Sequence, residues 1–318
     1  DLRNNMLPDV QADQLGIWAV HERRSGHWAF EAGARIDFGQ TEAGEALNHI
    51  ELVRATSTNR REDLMPSGYL MVSRDLKSTL NVYGGLGYAT RAPDPQERYM
   101  NLNRPMGADW VGNPDLDPVH NLELQTGFNW QGDQVTLKGS AFHAWLDDLV
   151  YLEAIPAPNL ATSYANIDAR LYGLSLEGGW QASEALRIEA GLAWQRGEKR
   201  SRPTGATNDV LGEVPPLKGR VAAEWQTGQW TVGSELVFQD SYDRIDPDLT
   251  EKPISGWAAV NLVANYQFSE SYGLTLGVDN LFDKNYAVAN AFVRDPFRNG
   301  LVVNESGRFV YLRFGAAF

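Results

Sequence analysis

The chain has 318 residues, 43% of them hydrophobic and 22% charged, with a formal net charge of −13 at pH 7. Its 10 Trp, 12 Tyr and 12 Phe are too apolar a complement for a disordered chain, and the acidic balance argues against a nucleic-acid binder. Cys is absent, which excludes disulfides, thiolate zinc sites and a cysteine nucleophile; no apolar run nears ~18 residues, so no transmembrane helix is predicted.

In chain order, the predicted elements are strands. Trp28, Phe30, Ala32, Ala34, Ile36 and Phe38 alternate with Glu31, Gly33, Arg35 and Asp37. Leu122, Leu124, Thr126, Phe128 and Trp130 face away from Glu123, Gln125 and Asn129. The same period of two recurs in Leu186 to Gln195, Leu217 to Gln226, Trp230 to Gln239 and Val260 to Phe268. The pattern predicts about thirteen strands, near 12–23, 26–38, 66–75, 78–90, 120–131, 133–151, 164–181, 185–199, 216–227, 229–242, 256–268, 272–286 and 308–318.

These runs are about ten residues or longer, against a usual strand of ~5–6, and a tilted strand crossing a bilayer needs ~9–11. Trp, Tyr or Phe closes the apolar face in several of them, as aromatic girdles require. Short turns such as Ser25-Gly26, Gly132-Asp133 and Thr227-Gly228-Gln229 alternate with long polar loops near 39–65, 91–119, 152–163, 200–215, 243–255 and 287–307. A soluble β-sandwich would alternate too, but it explains neither the strand length nor the short–long order. The fold class predicted is all-β, a transmembrane antiparallel β-barrel in an outer membrane, with the short turns in the periplasm.

Val310, Leu312, Phe314, Ala316 and Phe318 form one apolar face that ends on the final residue. A single-chain bacterial barrel has an even strand number with both ends in the periplasm. Thirteen strands ending there leave the expectation that further strands precede Asp1, and that residues 1–318 are one C-terminal portion of a larger barrel.

Five motifs now stand in order. They are Arg91-Ala-Pro93-Asp-Pro-Gln-Glu97-Arg98-Tyr99, Gly112-Asn113-Pro114-Asp-Leu-Asp-Pro118, Asp147-Asp148-Leu-Val-Tyr151, Gly277-Val-Asp279-Asn280-Leu-Phe282-Asp-Lys-Asn-Tyr286, and the Phe318 end. In these the chain resembles the C-terminal part of the barrel of TonB-dependent outer-membrane receptors. Met100-Asn-Leu-Asn-Arg-Pro105, Asp109-Trp110, Ser163-Tyr-Ala-Asn-Ile-Asp168, Glu213-Val-Pro-Pro-Leu217 and Arg294-Asp-Pro-Phe-Arg298 resemble the copper-receptor branch most.

The resemblance implies a barrel of about 22 strands around an N-terminal plug that this chain lacks. It implies TonB as energy partner through a segment outside this chain, outer-membrane lipid around the wall, and a small cargo ligand. The terminal strand, with Phe314 and Phe318, resembles the signal read by the barrel assembly machinery. It also implies active uptake, most simply of copper, with metal ligands mainly in the plug and upstream loops. Another cargo of the same family, a ferric siderophore or cobalamin, stays open, as does a self-standing barrel of 12 or 14 strands acting as a passive pore or barrel enzyme.

The motif residues Arg91, Pro93, Glu97, Arg98, Asn113, Pro114, Asp279, Asn280 and Phe282 are expected to be mainly structural. Pro cannot donate to a ladder, and Asn and Asp suit turns. If copper is the cargo, the soft thioethers of Met100 and Met106, together with His120, are the metal candidates in this chain. Packing of the loop is the plainer role for both methionines. The pairs Asp115/Asp117, Asp147/Asp148 and Asp246/Asp248 carry enough oxygen for Ca²⁺ but read more simply as solvated loop charge. No Ser-His-Asp or GxSxG constellation appears, so no catalytic residue is assigned.

Overall fold

The computed structural model describes residues 7, 9–44, 47–104, 107–289, 291–293 and 301–316. Thirteen strands form the wall: β1 (Val10–Ser25), β2 (Trp28–Ala43), β3 (Arg60–Lys77), β4 (Leu80–Arg91), β5 (Val119–Gln131), β6 (Val135–Ile155), β7 (Ala161–Gln181), β8 (Leu186–Lys199), β9 (Lys218–Thr227), β10 (Trp230–Gln239), β11 (Trp257–Gln267), β12 (Tyr272–Asp279) and β13 (Phe309–Ala316). Each pairs antiparallel with the next in chain order. Among the described residues β1 and β13 do not pair with each other.

Register puts the apolar positions on one face. Leu86 lies opposite Leu124, Leu176 opposite Leu192, and Leu276 opposite Leu312. All six are exposed, which a soluble protein would not tolerate over such an area. In lipid they are solvated by hydrocarbon. Trp28, Trp180, Trp225, Trp230, Phe268 and Tyr272 stand beside the short turns on this face and form the periplasmic girdle. Two of those turns, Gly26-His27 and Gly228-Gln229, are two-residue hairpins whose Gly sits at φ +57° and +55°. There a Cβ would be strained.

Several strand limits differ from the sequence reading. β2 runs to Ala43 and β3 starts at Arg60, so both ends of the expected loop 39–65 are strand. Gln40, Thr41 and Glu42 pair with Glu62, Arg61 and Arg60. This extension carries polar residues on both faces, one of them covered by the outer loops, where Thr41 and Asp63 are buried, so apolar–polar alternation vanishes. β6 does not end at Tyr151 but continues to Ile155, across a bulge between Leu146 and Leu149. Asp148 takes φ 56° there. β12 stops at Asp279, not near 286, because Asn280 turns to φ 50°.

The wall is one layer and has no core of its own. Buried side chains gather instead in the outer loops. Helix α1 (Asn48–Arg54) and helix α2 (Pro95–Tyr99), both unforeseen, fold there with two short strands, Asn101–Leu102 and Asp109–Val111. Met100, Leu102, Trp110, Leu116 and Tyr164 make one cluster. Tyr151, Ile167, Ala169, Leu211 and Leu249 make a second. Ile50, Val111 and Ala161 make a third.

Facing decides tolerance in such a wall. Leu176→Arg, on the outward face, is expected to destabilise the barrel by about 2–4 kcal/mol. Glu177→Arg, one residue on and facing inward, is expected to change little. Urea unfolding of the intact outer-membrane protein followed by heat-modifiable gel mobility checks both.

Candidate functional site

The inner face is polar and internally paired. Arg220 lies 3.1 Å from Glu235 and 3.6 Å from Glu189, and Asn261 donates to Glu235 at 3.2 Å. With Arg187, Asp279 and Tyr311 they line a concavity of about 520 Å³ on the inner side of β8 to β13. Near β1, Arg35 holds Asp37 while Gln14 donates to the same carboxylate at 3.1 Å. The charges are matched locally, so this surface offers hydrogen bonds to water and polar groups.

Above it, the Arg-Ala-Pro and Gly-Asn-Pro motifs build one anchored loop. Asp94 caps α2 by accepting the Glu97 N–H at 2.8 Å, and Glu97 accepts the Asp94 N–H at 2.8 Å. This capping box satisfies two orphan donors. Arg91 grips Glu97 through two bonds of 2.8 and 3.0 Å. Pro93, buried, ends the strand before the helix. Arg98, fully buried, donates to Asp63 at 2.6 and 2.7 Å and to the Leu116 carbonyl at 3.1 Å.

Gly112 passes so close to this turn that a Cβ there would sit 2.4 Å from the Arg98 carbonyl group. Asn113 donates its backbone N–H to the Glu97 carbonyl at 2.9 Å and its amide to the Tyr164 carbonyl at 2.9 Å. Pro114 is buried beside it. Asn280 does the same work at the other end of the wall. Its side chain donates to the Lys284 and Ser306 carbonyls and accepts the Lys284 N–H. Asp279 faces the inner concavity, and Phe282 is exposed.

The metal candidates do not converge. Met100 is buried in apolar packing against Leu102, Trp110, Leu116 and Tyr164. His120 shares the outward face with Leu122 and Leu124, and bonds Tyr88 through Nδ1 at 2.7 Å. Met106 lies outside the described residues, as do Phe318 and the Arg294 to Arg298 segment. Among the described residues no group of three or more His, Asp or Glu could hold a metal ion.

Sequence reasoning missed a buried network at the outer ends of β6 and β8. Lys199 and Asp246 are both fully buried, 2.7 Å apart. Tyr151 donates to the same carboxylate at 2.6 Å, and Asn208 donates to its other oxygen at 2.9 Å. Asp246 is thus neither solvated loop charge nor a free cation ligand. Its signal was the Asp-Pro-Asp turn at 246–248, where Asp246 accepts the Asp248 N–H at 3.0 Å. Burial alone would raise the Asp246 carboxyl, but the donors Asn208, Lys199 and Tyr151 outweigh it and hold the group below the usual aspartate range.

Two outcomes test this anchoring. Arg98→Met leaves the Asp63 carboxylate buried and unpaired, at a cost of about 3–5 kcal/mol. Hydrogen exchange across 92–118 in the intact protein should rise accordingly. A lowered folded-state pKa means that the stability given by Asp246 is full above the ordinary value of about 3.9 and is lost as pH falls through the lowered one. Pepsin should therefore spare 200–217 and 240–256 near pH 4 and cut them increasingly below that.

Comparison with known proteins supplies the context. The family model described as TonB dependent receptor-like, beta-barrel, matches residues 3–281. No curated protein sequence matches the chain. Among solved structures, the chain is similar to the copper transporter OprC, with 23% identity and TM-score 0.81 over 98% of this chain and 50% of that one. It is similar to the siderophore receptor PiuA from Acinetobacter baumannii, with 15% identity and TM-score 0.70 over 96% and 43%. It is also similar to the ferric-catecholate import receptor Fiu from E. coli K12, with 15% identity and TM-score 0.68 over 95% and 44%. The chain thus spans about half the length of these structures, and the likeness is one of fold.

Proposed function

Because the chain belongs to the TonB-dependent receptor β-barrel family, we propose that it builds much of the wall of a receptor that takes up copper with energy from TonB. It is an outer-membrane β-barrel protein, as are its family and the solved structures it matches. The observation that carries the cargo is the whole-length likeness to the copper transporter OprC at TM-score 0.81, against 0.68 to 0.71 for Fiu, PiuA and the ferric citrate transporter FecA. The Met100 to Pro105 and Glu213 to Leu217 segments support the same branch.

In this reading the described wall and loops position the path and do no covalent chemistry. The paired inner charges present a wet, polar lining. The anchored outer loops hold the mouth in a fixed shape. Met100 serves packing and Met106 is the thioether left to test as a soft contact for Cu(I). The principal ligands are expected in other segments of the receptor. TonB is the proposed energy partner, and the barrel assembly machinery is the proposed partner of β13, where Phe314 faces outward. A ferric siderophore is the second reading, favoured by the iron receptors among the similar structures.

Cells carrying the whole receptor should accumulate several-fold more copper than cells lacking it, and lose the difference when TonB is deleted. Metal content of washed cells measured by mass spectrometry reads this directly. Unchanged copper with TonB-dependent gain of iron from a ferric siderophore would transfer the assignment to the second reading.

A further inference from the structure

On the outward face, at the outer ends of β7 and β8, three arginines converge on one carboxylate. Arg170 donates Nε to Glu198 Oε2 at 2.9 Å, with its second bond made by Nη2 to the same oxygen. Arg196 donates Nε to Glu198 Oε1 at 3.1 Å. Arg244, from the loop after β10, lies 3.6 Å from Glu198 Oε1 and donates to the Gly197 carbonyl at 2.9 Å. β9 pairs with β8 only as far as Ala193, and beyond it the Gly197 carbonyl accepts from both Arg244 and the Leu211 N–H. The step in the wall is where Arg244 enters.

Register fixes the direction these groups face. Arg170 lies opposite Glu198 and Trp145, and Arg196 opposite Tyr172, on the same face as Leu174 and Trp194. Leu174 and Leu176, below them, point into hydrocarbon. Beside the arginines, Trp145, His143, Tyr172 and Trp194 form a continuous aromatic chain, with successive centroid separations of 4.3, 5.6 and 5.9 Å. Trp180, ten residues from Arg170 along β7, marks the periplasmic girdle, and ten strand residues cross a bilayer. The arginines therefore stand at the level of the outer-leaflet headgroups.

The charge does not balance. Three guanidinium groups share one carboxylate, and their side chains remain 37%, 44% and 39% exposed while that of Glu198 is 19% exposed. Burial and the neighbouring Arg196 charge hold the Arg244 guanidinium below its ordinary pKa, as expected of a cation short of counter-charge. Asp168, two residues from Arg170 on β7, accepts the Asp148 N–H, at 3.4 Å. Lys199, next to Glu198, turns inward to Asp246.

We propose that Arg170, Arg196 and Arg244 form a binding site for a phosphate group of a phosphorylated glycolipid of the outer leaflet. Its acyl chains would lie along the aromatic chain and Leu174. Guanidinium groups match phosphate oxygens in pairs, and basic clusters at a membrane surface recognise anionic headgroups. Glu198 orients the three arginines and leaves two positive charges for the ligand. The site is independent of the cargo.

The test uses the full receptor in phospholipid nanodiscs, titrated with bisphosphorylated lipid A, with its dephosphorylated form, and with inorganic phosphate. Bisphosphorylated lipid A should bind and be retained in native mass spectra. The triple variant Arg170→Gln/Arg196→Gln/Arg244→Gln should bind it about tenfold more weakly, while keeping the heat-modifiable gel mobility of a folded barrel. Glu198→Gln, which removes the competing charge, should bind it more tightly. Equal binding by wild type and the triple variant, or by the dephosphorylated lipid, would overturn the proposal. Displacement of the lipid by inorganic phosphate at equal concentration would make this a free-anion site and overturn the lipid assignment.

Discussion

Hydrocarbon cannot hydrogen-bond to a peptide group, and each unsatisfied backbone donor or acceptor in it costs several kcal/mol. A chain without an apolar helix can enter a bilayer only if neighbouring strands satisfy every such group. The unbroken antiparallel order of β1 to β13 follows from that requirement. So does the strand length, since each must carry its ladder through the apolar slab. So does the period of two, because once the backbone is committed to the ladder only the side chains can meet lipid on one face and water on the other.

A wall one layer thick cannot bury a core, so order in the outer region has to be made elsewhere. The loops make it with buried ion pairs. Arg98 and Asp63 tie α2 to β3, Arg54 and Glu153 tie α1 to β6 at 2.6 Å, and Lys199 and Asp246 tie β8 to the loop after β10. The Arg98 and Asp246 pairs carry extra hydrogen bonds, to the Leu116 carbonyl and from Tyr151 and Asn208, which is what makes an ion pair tolerable away from water. Around them lie the apolar clusters, and His49 bridges Asn101 and Asp109 at 3.0 Å each. The mouth of the barrel is thus a folded layer in its own right.

Two surfaces meet at the outer ends of β7 and β8, and the same strands serve both. Lys199 turns inward to the loop network while Glu198, one residue before it, turns outward to three arginines. Alternation of one residue separates a buried, neutralised pair from an exposed, electropositive patch. Past Ala193 the edge of β8 meets the loop before β9 rather than β9 itself, and Arg244 and Asp246, two residues apart, reach its two sides.

The sequence by itself determined the wall: the number of strands, their order, the apolar and polar faces and the short turns all follow from a period of two interrupted by Gly, Asn and Asp. It also marked the Arg91 to Tyr99 and Gly112 to Pro118 motifs as turn-forming, since proline cannot donate to a ladder and Asn and Asp suit turns. Only tertiary structure decided where strands continue above the membrane. At Gln40 to Glu42 both faces carry polar residues, with Thr41 buried under the loops, so periodicity carries no signal. It alone decided that Asp246 is buried on Lys199 and that Met100 is packed rather than presented. Those outcomes depend on partners distant in the chain, such as Lys199 for Asp246 and Tyr164 for the Met100 cluster. Local patterning records which face a residue takes on its own strand. It cannot record what the other strands and loops bring opposite to it.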